Sequence, residues 1–315
     1  MLNRRYLRTL VMRALYGFFQ SDSNDLAKGE RELFTTIDKI YDLYIYQLAL
    51  FDELRHVAAG ILEDAKTKHL PTKENLDPNM KFVENKFIAK LSENIHLKRE
   101  INNRKISWNN EHELVKKLFL TIKSSELYWK YMNVSDDSYE VHQRFIINIF
   151  KENIADFELL NQLYEERSLN WGDDIYLVNP TIVKTLETFG EFAEPDMPLI
   201  TLYKEKEEDI DFVSNLFVQT ILKNQEVETL IAERTRNWEV DRIAMMDVLL
   251  MKMAITEMLQ FENIPLSVSF NEYLEISKTY STPKSSAFIN GILDKLVIDL
   301  KAKDMFHKSG RGLME

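Results

Sequence analysis

Three arginines near the start of the chain have the clearest chemical potential. A helix would bring Arg4, Arg5 and Arg8 together within its first turns, and no acidic residue precedes Asp22. Guanidinium groups stay charged and form paired hydrogen bonds with phosphate oxygens. The cluster therefore predicts a phosphate-binding surface such as an RNA contact, with an ordinary solvated helix face as the alternative.

The sequence offers no catalytic group of recognisable spacing. Its six histidines are scattered without the His-Glu-x-x-His spacing of zinc hydrolases, and it has no cysteine. It also lacks a glycine-rich phosphate loop. The acidic pairs Asp136-Asp137 and Asp173-Asp174 lie in polar breaks, where caps or turns explain them. We therefore expect neither an enzyme nor a metal or cofactor site.

The overall charge limits how the chain could bind a polyanion. Its 315 residues carry a formal net charge of −11, so nucleic-acid binding would depend on a local basic patch. The lack of cysteine suits a reducing compartment. No apolar run approaches the ~20 residues of a membrane span. We expect a cytoplasmic protein that begins at Met1 and has no membrane segment.

Apolar periodicity predicts an all-α fold, in which a helix over residues 3–19 carries the arginines on the side opposite its apolar stripe. A long helix is predicted over Glu30–Lys68. Shorter helices are predicted over residues 82–95, 101–106, 112–131, 138–163, 175–188 and 212–233.

The stretch from Asn237 to Leu300 is the predicted centre of the fold. Its first helix, Val240–Leu259, is apolar on almost every side, which is typical of a helix buried in a bundle. Helices over residues 271–280 and 285–300 follow. Gly291 lies in mid-helix at a cost of about 1 kcal/mol relative to alanine, which favours close helix packing there. The predicted core comprises Ile243, Leu250, Ala254, Phe270, Ile289 and Leu293.

The two ends of the chain contain sequence motifs with a consistent spacing. The start contains Arg4-Arg5-Tyr6-Leu7-Arg8 and Ala14-Leu15-Tyr16. The end contains Asp241-Arg242-Ile243-Ala244, Asp247, Ala254, Glu257, Ile264-Pro265, Asn271-Glu272, Ser277-Lys278, Tyr280 and the run from Phe288 to Lys295. These motifs resemble the arginine-rich start, the Ala-Leu-Tyr signature and the C-terminal part of the NusB family of bacterial transcription antitermination factors.

The resemblance implies a NusB-type helical bundle with an enlarged helical N-terminal or inserted region. Residues 1–40 would be the N-terminal helices of the core, and 41–203 a helical insertion or enlarged N-terminal half. Residues 204–303 would be the C-terminal helical core, and 304–315 a flexible tail.

The resemblance also implies an RNA-binding factor for transcription antitermination during ribosomal RNA transcription. It would bind boxA-type RNA together with ribosomal protein NusE and join an antitermination complex on RNA polymerase. The implied RNA-binding residues are Arg4, Arg5, Arg8, Tyr16, Asp247, Lys252, Lys284 and Phe288.

Structural roles are the alternatives for several of these residues. Tyr16 and Phe288 could be core aromatics, Asp247 could form a structural hydrogen bond, and Lys252 could only extend along the bundle surface. For the whole protein, the main alternative is an RNA-independent protein–protein adaptor that kept the fold. NusB-like domains also occur fused to ribosomal RNA cytosine methyltransferases, but this chain has none of the cysteines that catalysis would require.

Overall fold

The chain is predominantly α-helical in the residues that its computed structural model describes, which are 1–21, 25–67, 69–235 and 244–313. No β-strand occurs in these ranges, so the predicted all-α fold is confirmed. The helices are α1 (Arg4–Gln20), α2 (Leu26–Lys66), α3 (Lys73–Leu76), α4 (Lys86–Glu93), α5 (Ile95–Arg104), α6 (His112–Lys123), α7 (Glu126–Asn133), α8 (Tyr139–Ile149), α9 (Glu158–Arg167), α10 (Trp171–Thr188), α11 (Lys206–Leu222), α12 (Asn224–Arg234), α13 (Met245–Gln260), α14 (Leu266–Tyr280) and α15 (Ser285–Ala302). A π-helical segment, Phe150–Ile154, follows α8, and a 3-10 turn spans Gly310–Leu313.

The helices form two compact units. The interior unit comprises Asp38–Leu202 with Met1, and the terminal unit comprises Leu2–Ile37 and Tyr203–Glu315. The division falls within the long helix α2. Among the helices described, none is long and apolar enough to cross a membrane.

The terminal unit is built around α13, which packs against α1, α11, α12, α14 and α15. As predicted, the apolar residues of α13 leave little solvated face, and Leu250 and Ala254 are fully buried. Ile289 and Leu293 of α15 are fully buried as well. This arrangement makes α13 the structural centre of the unit.

Two members of the predicted core need separate comment. Ile243 lies outside the described residues, as does the start of the predicted helix Val240–Leu259. Phe270 is half-buried, so its predicted place in the core is wrong. The buried stripe of α14 includes Ser269 and Tyr273, and a residue next to Ser269 points about 100° away from that stripe.

The interior unit has an aromatic core. The ring of Tyr46 stacks on Trp108 with 3.9 Å between centroids, and the indole Nε1 of Trp108 donates to the carbonyl oxygen of Tyr46 at 3.1 Å. Tyr164 and Trp171 complete the group, with 6.2 Å between their rings. These large side chains bring α2, α9 and α10 together.

Three of the predicted helices are divided in the structure. The prediction over residues 112–131 separates into α6 and α7, because the Oγ of Ser125 accepts from the backbone N–H of Tyr128 at 3.1 Å and starts a new helix. The π-helical segment and a turn before α9 interrupt the prediction over 138–163. The prediction over 212–233 separates into α11 and α12 at Lys223. The helix expected from Asn271 begins earlier, at Leu266.

The reason suggested for Gly291 is also wrong. Among the described residues, a methyl group at Gly291 would meet no atom within 4 Å outside its own helix backbone. Close packing therefore does not require glycine at this position of α15.

Candidate nucleic-acid interface

The arginines lie in the first turns of α1, whose start is fixed by a side-chain cap. Asn3 precedes the helix, and its Oδ1 accepts from the backbone N–H of Tyr6 at 2.8 Å. Leu7 and Val11 are fully buried against the rest of the terminal unit. The cap and the apolar stripe together set the directions in which Arg4, Arg5 and Arg8 extend.

Arg8 points into the protein. Its Nε and Nη2 donate to the two carboxylate oxygens of Glu257 in α13 at 2.8 and 2.6 Å, and only 2 % of the residue is exposed. Burial alone would lower the pKa of Arg8, but the hydrogen bonds and charge of Glu257 outweigh it and raise this pKa above its ordinary value. The predicted position of Arg8 on the side of α1 opposite its apolar stripe is therefore wrong, because a buried carboxylate attracts it inward.

Arg5 lies at the surface in a paired contact with α14. Its Nε and Nη2 each donate to a carboxylate oxygen of Glu272 at 2.8 Å, while 52 % of the Arg5 side chain remains exposed. The hydrogen bonds from Arg5 lower the pKa of Glu272. The guanidinium is thus reachable from solvent, although a carboxylate already occupies its paired donors.

Arg4 contacts the start of α11. Its Nε lies 3.0 Å from Oδ1 of Asp209, and its guanidinium lies 4.6 Å from the ring centre of Phe212. The other carboxylate oxygen of Asp209 accepts from the backbone N–H groups of Lys204 and Glu205 at 3.0 and 3.1 Å. Asp209 therefore both caps α11 and holds Arg4, whose side chain is 38 % exposed.

A groove of about 1400 Å³ opens beside these arginines in the terminal unit. The first residues of α1, α11 and α14, the loop between α13 and α14, and the C-terminal tail line it. Its charged lining residues are Arg4, Arg5, Arg8, Arg311, Glu208, Asp211, Glu262 and Glu272. The four cations equal the four anions in number, and phosphate binding at Arg4 or Arg5 requires an exchange of carboxylate for phosphate.

The remaining predicted residues lie towards the other end of α1. Helix α13 runs antiparallel to α1, because Arg8 meets Glu257 near the end of α13 whereas Gln20 meets Met245 at its start. Tyr16 is 40 % exposed on α1. Its Cα lies about 18 Å along the helix from that of Arg4, at ~1.5 Å per residue. The structure therefore separates the predicted site into two groups.

Lys252 and Asp247 of α13 both make structural contacts in this second group. The Nζ of Lys252 lies 3.0 Å from a carboxylate oxygen of Glu228 and 5.6 Å from the ring centre of Phe19. Asp247 is buried and accepts a hydrogen bond from the hydroxyl of Ser281. These contacts agree with the structural alternatives, which were a structural hydrogen bond for Asp247 and a position along the bundle surface for Lys252.

Lys284 and Phe288 lie at the start of α15. Lys284 is exposed at the N-cap position, and Phe288 is half-buried one turn later. The Oγ atoms of Ser281 and Ser285 are 2.9 Å apart. Because Ser281 also donates to Asp247, this contact links the second group to the start of α13.

The acidic partners of the arginines are the residues that sequence reasoning missed. Glu257 and Glu272 belong to the family pattern, but their roles as arginine partners follow only from the fold. One signal was available for Glu257, because a carboxylate in an almost wholly apolar helix requires a partner. No comparable signal distinguishes Glu272 from the other surface acids.

Comparison with known proteins identifies relatives of the C-terminal part of the chain. The profile of the NusB family matches residues 184–297. That range includes Asp247, Lys252, Lys284 and Phe288 but neither α1 nor the tail. No solved structure gives a significant match to this chain.

Three similar curated proteins carry the name "Transcription antitermination protein NusB". The one from Chloroherpeton thalassium is 47 % identical over 105 residues, which are 33 % of this chain and 50 % of that protein. The one from Salinibacter ruber is 43 % identical over 104 residues, 33 % of this chain and 65 % of the relative. The one from Natranaerobius thermophilus is 33 % identical over 101 residues, 30 % of this chain and 73 % of the relative. The chain thus spans between half and three quarters of these relatives.

Proposed function

Because this chain belongs to the NusB family, we propose that it is a transcription antitermination factor that binds boxA-type RNA together with ribosomal protein NusE. In this role it joins an antitermination complex on RNA polymerase during ribosomal RNA transcription. The observation that carries the proposal is the family match across α11 to α15, which include the three helices α11, α13 and α14 that pack against α1 and contact its arginines. The protein acts by assembly, since it adds contacts that prolong a weak complex.

The exposed arginines supply the phosphate contacts in this proposal. The fork of Arg5 already meets two oxygen atoms of Glu272 at 2.8 Å, which is the geometry that two phosphate oxygens also offer. Arg4 is partly exposed beside it. RNA phosphates replace the carboxylates at both positions, whereas Arg8 stays paired inside and holds α1 in place.

The second group extends the RNA path. Tyr16 and Phe288 supply aromatic faces on which unpaired bases stack, and Lys284 supplies a cation near Phe288. Stacking on these faces adds affinity for unpaired bases of single-stranded RNA. The contact of Asp247 with Ser281, and those of Lys252 with Glu228 and Phe19, suit these two residues to holding α13 against its neighbours beneath the RNA.

NusE compensates for the low RNA affinity that the negative charge of this chain causes. A net charge of −11 repels RNA at long range, and a phosphate contact at Arg4 or Arg5 first displaces a carboxylate. When a second protein holds the same RNA, these contacts become intramolecular and their effective concentration rises. The proposal therefore expects weak binding by the chain alone and much tighter binding by the complex.

An RNA titration tests this proposal directly. The full chain is titrated against boxA RNA and a scrambled RNA of the same length and composition, each with and without NusE. We expect a preference for boxA that strengthens when NusE is present. Equal affinity for the two RNAs in the presence of NusE would contradict the proposal.

One observation favours the RNA-independent adaptor as a second candidate. Each arginine of the cluster already contacts a carboxylate, so the surface is complete without RNA. Affinity capture with and without nuclease separates the two functions. An adaptor keeps its partners after the RNA is destroyed, whereas the proposed factor loses those that depend on RNA.

A further inference from the structure

The tail after α15 folds back onto the loop between α13 and α14. The backbone N–H of Ser309 donates to the carbonyl oxygen of Glu262 at 3.1 Å, and the Nζ of Lys308 donates to the carbonyl oxygen of Phe261 at 2.8 Å. The hydroxyl of Ser309 lies 3.1 Å from a carboxylate oxygen of Glu262. The tail that the sequence predicted to be flexible therefore has a defined docking site within the terminal unit.

Two glycines determine how closely the tail approaches this loop. A Cβ at Gly312 would lie 1.7 Å from the carbonyl oxygen of Glu262, a separation that no side chain tolerates. Gly310 has a φ of +53°, in the left-handed region that favours glycine. The 3-10 turn is thus held against the backbone of the loop. This close packing fixes the backbone position of the residue between the two glycines.

That residue is Arg311, which is exposed and lines the groove that also contains Arg4 and Arg5. Among the described residues 1–21, 25–67, 69–235 and 244–313, no carboxylate forms an ion pair with Arg311. It differs in this from Arg4 and Arg5, each of which contacts a carboxylate. A phosphate that reaches Arg311 displaces water, whereas one that reaches Arg4 or Arg5 must also displace a carboxylate.

We propose that Arg311 is a phosphate-binding residue of the groove and makes the first contact with the RNA strand. The inference rests on the proposed RNA-binding function and deepens it, since Arg311 lies beyond the residues that match the NusB family profile. Gly310 and Gly312 let the tail pack closely enough to place the guanidinium group of Arg311 in the groove that the start of α1 also lines. The strand then continues from Arg311 to Arg4 and Arg5, where carboxylates are exchanged for phosphates.

The test is a titration of the full chain with boxA RNA at several salt concentrations between about 50 and 200 mM. Arg311→Ala should weaken binding about tenfold, as expected for one hydrogen-bonded charge contact. It should also reduce the slope of log affinity against log salt by about 0.7. Lys303→Ala is the matched control, because it removes the same charge from an exposed position in the tail that does not line the groove.

A second variant tests position separately from charge. Gly312→Ala keeps Arg311 but forces the 3-10 turn away from the loop, so it should weaken RNA binding to a similar extent while circular dichroism shows an unchanged helix content. Arg311→Lys keeps the charge and should retain most of the salt dependence. If the tail had only a structural role, Arg311→Ala would not change the salt dependence of RNA binding and Arg311→Lys would not retain it.

The possible failures are distinguishable. If the wild type prefers boxA RNA and Arg311→Ala binds it with the same affinity and slope, the inference is overturned and the proposed function stands. If Arg311→Ala weakens NusE binding without RNA and leaves RNA binding unchanged, the tail contacts protein and the inference is also overturned. If the wild type shows no preference for boxA RNA even with NusE, both proposals fail.

Discussion

Arg8 and Glu257 form a paired ion contact inside the terminal unit, with N–O distances of 2.8 and 2.6 Å. Glu257 is fully buried, and its carboxylate also accepts from the hydroxyls of Ser269 and Tyr273 at 2.7 and 2.9 Å. The contact joins the first turns of α1 to α13 and α14. It therefore fixes the side of α1 that faces the groove and with it the positions of Arg4 and Arg5.

Arg8→Ala should strongly destabilise the protein. The substitution leaves the Glu257 carboxylate buried without its cation, which costs about 3–5 kcal/mol. Arg5→Ala is the matched control, because its ion pair is half-exposed and contributes about 0–1 kcal/mol. Urea unfolding of both variants measures the difference. Equal losses of unfolding free energy would show that Arg8 is not the structural member of the cluster.

Gly291→Ala should stabilise α15. Within the described part of the chain the methyl group has no neighbour within 4 Å, and alanine in a helix interior is favoured over glycine by about 0.5–1 kcal/mol. The measurement is the midpoint of urea unfolding for the variant and the wild type. A lower midpoint in the variant would mean that α15 requires close approach at this position after all.

His142 should make the interior unit less stable in mild acid. The residue is 1 % exposed, with Nε2 3.0 Å from Oδ1 of Asp137 and Nδ1 2.7 Å from the hydroxyl of Tyr131. Burial lowers its pKa below 6.5, although the charge of Asp137 acts in the opposite direction. Below pH 6.5 the unfolded chain therefore binds a proton that the folded chain resists, and the free energy of unfolding falls as pH falls towards the folded pKa.

The check is unfolding free energy as a function of pH for the wild type and for His142→Gln. The variant should lose the part of the pH dependence that lies just below pH 6.5. His69→Gln, at an exposed position, is the control and should leave the curve unchanged. An unaltered curve in His142→Gln would remove this histidine from the acid response.

Much of the helical scaffold could be predicted from the spacing of apolar residues in the sequence. The central helix α13 is apolar on nearly all sides, so its burial follows from composition alone. The divisions at Ser125 and Lys223 could not be predicted by periodicity, because apolar spacing continues across each break. Ser125 is the local feature that marks the first division, because its hydroxyl accepts the capping hydrogen bond from the backbone N–H of Tyr128.

The candidate site was less predictable because it depends on contacts between distant parts of the chain. Helical spacing groups Arg4, Arg5 and Arg8 correctly, but it cannot show which of them a carboxylate attracts inward. The partner of Arg8 lies 249 residues away. Likewise, the letters of the tail do not reveal that Gly312 packs against the carbonyl of Glu262 and brings Arg311 to the groove.

Glu272→Gln should increase affinity for boxA RNA. Glu272 occupies the paired donors of Arg5, so removing its charge lowers the cost of exchange with phosphate. The gain should be up to about fivefold, equivalent to the ~1 kcal/mol of a partly exposed ion pair. Glu275→Gln is the matched control, because Glu275 lies on the same helix but pairs with Lys278. Equal gains from the two variants would indicate a general charge effect and contradict direct competition at Arg5.

The most direct test of RNA binding at α1 is a salt series with the Arg4→Ala/Arg5→Ala double variant. Affinity for boxA RNA is measured for the variant and the wild type in the presence of NusE, with circular dichroism as the folding control. Each lost phosphate contact should reduce the slope of log affinity against log salt by about 0.7, so the double variant should lose about 1.4 and bind more weakly at every salt concentration. A folded double variant with the affinity and slope of the wild type would contradict the account.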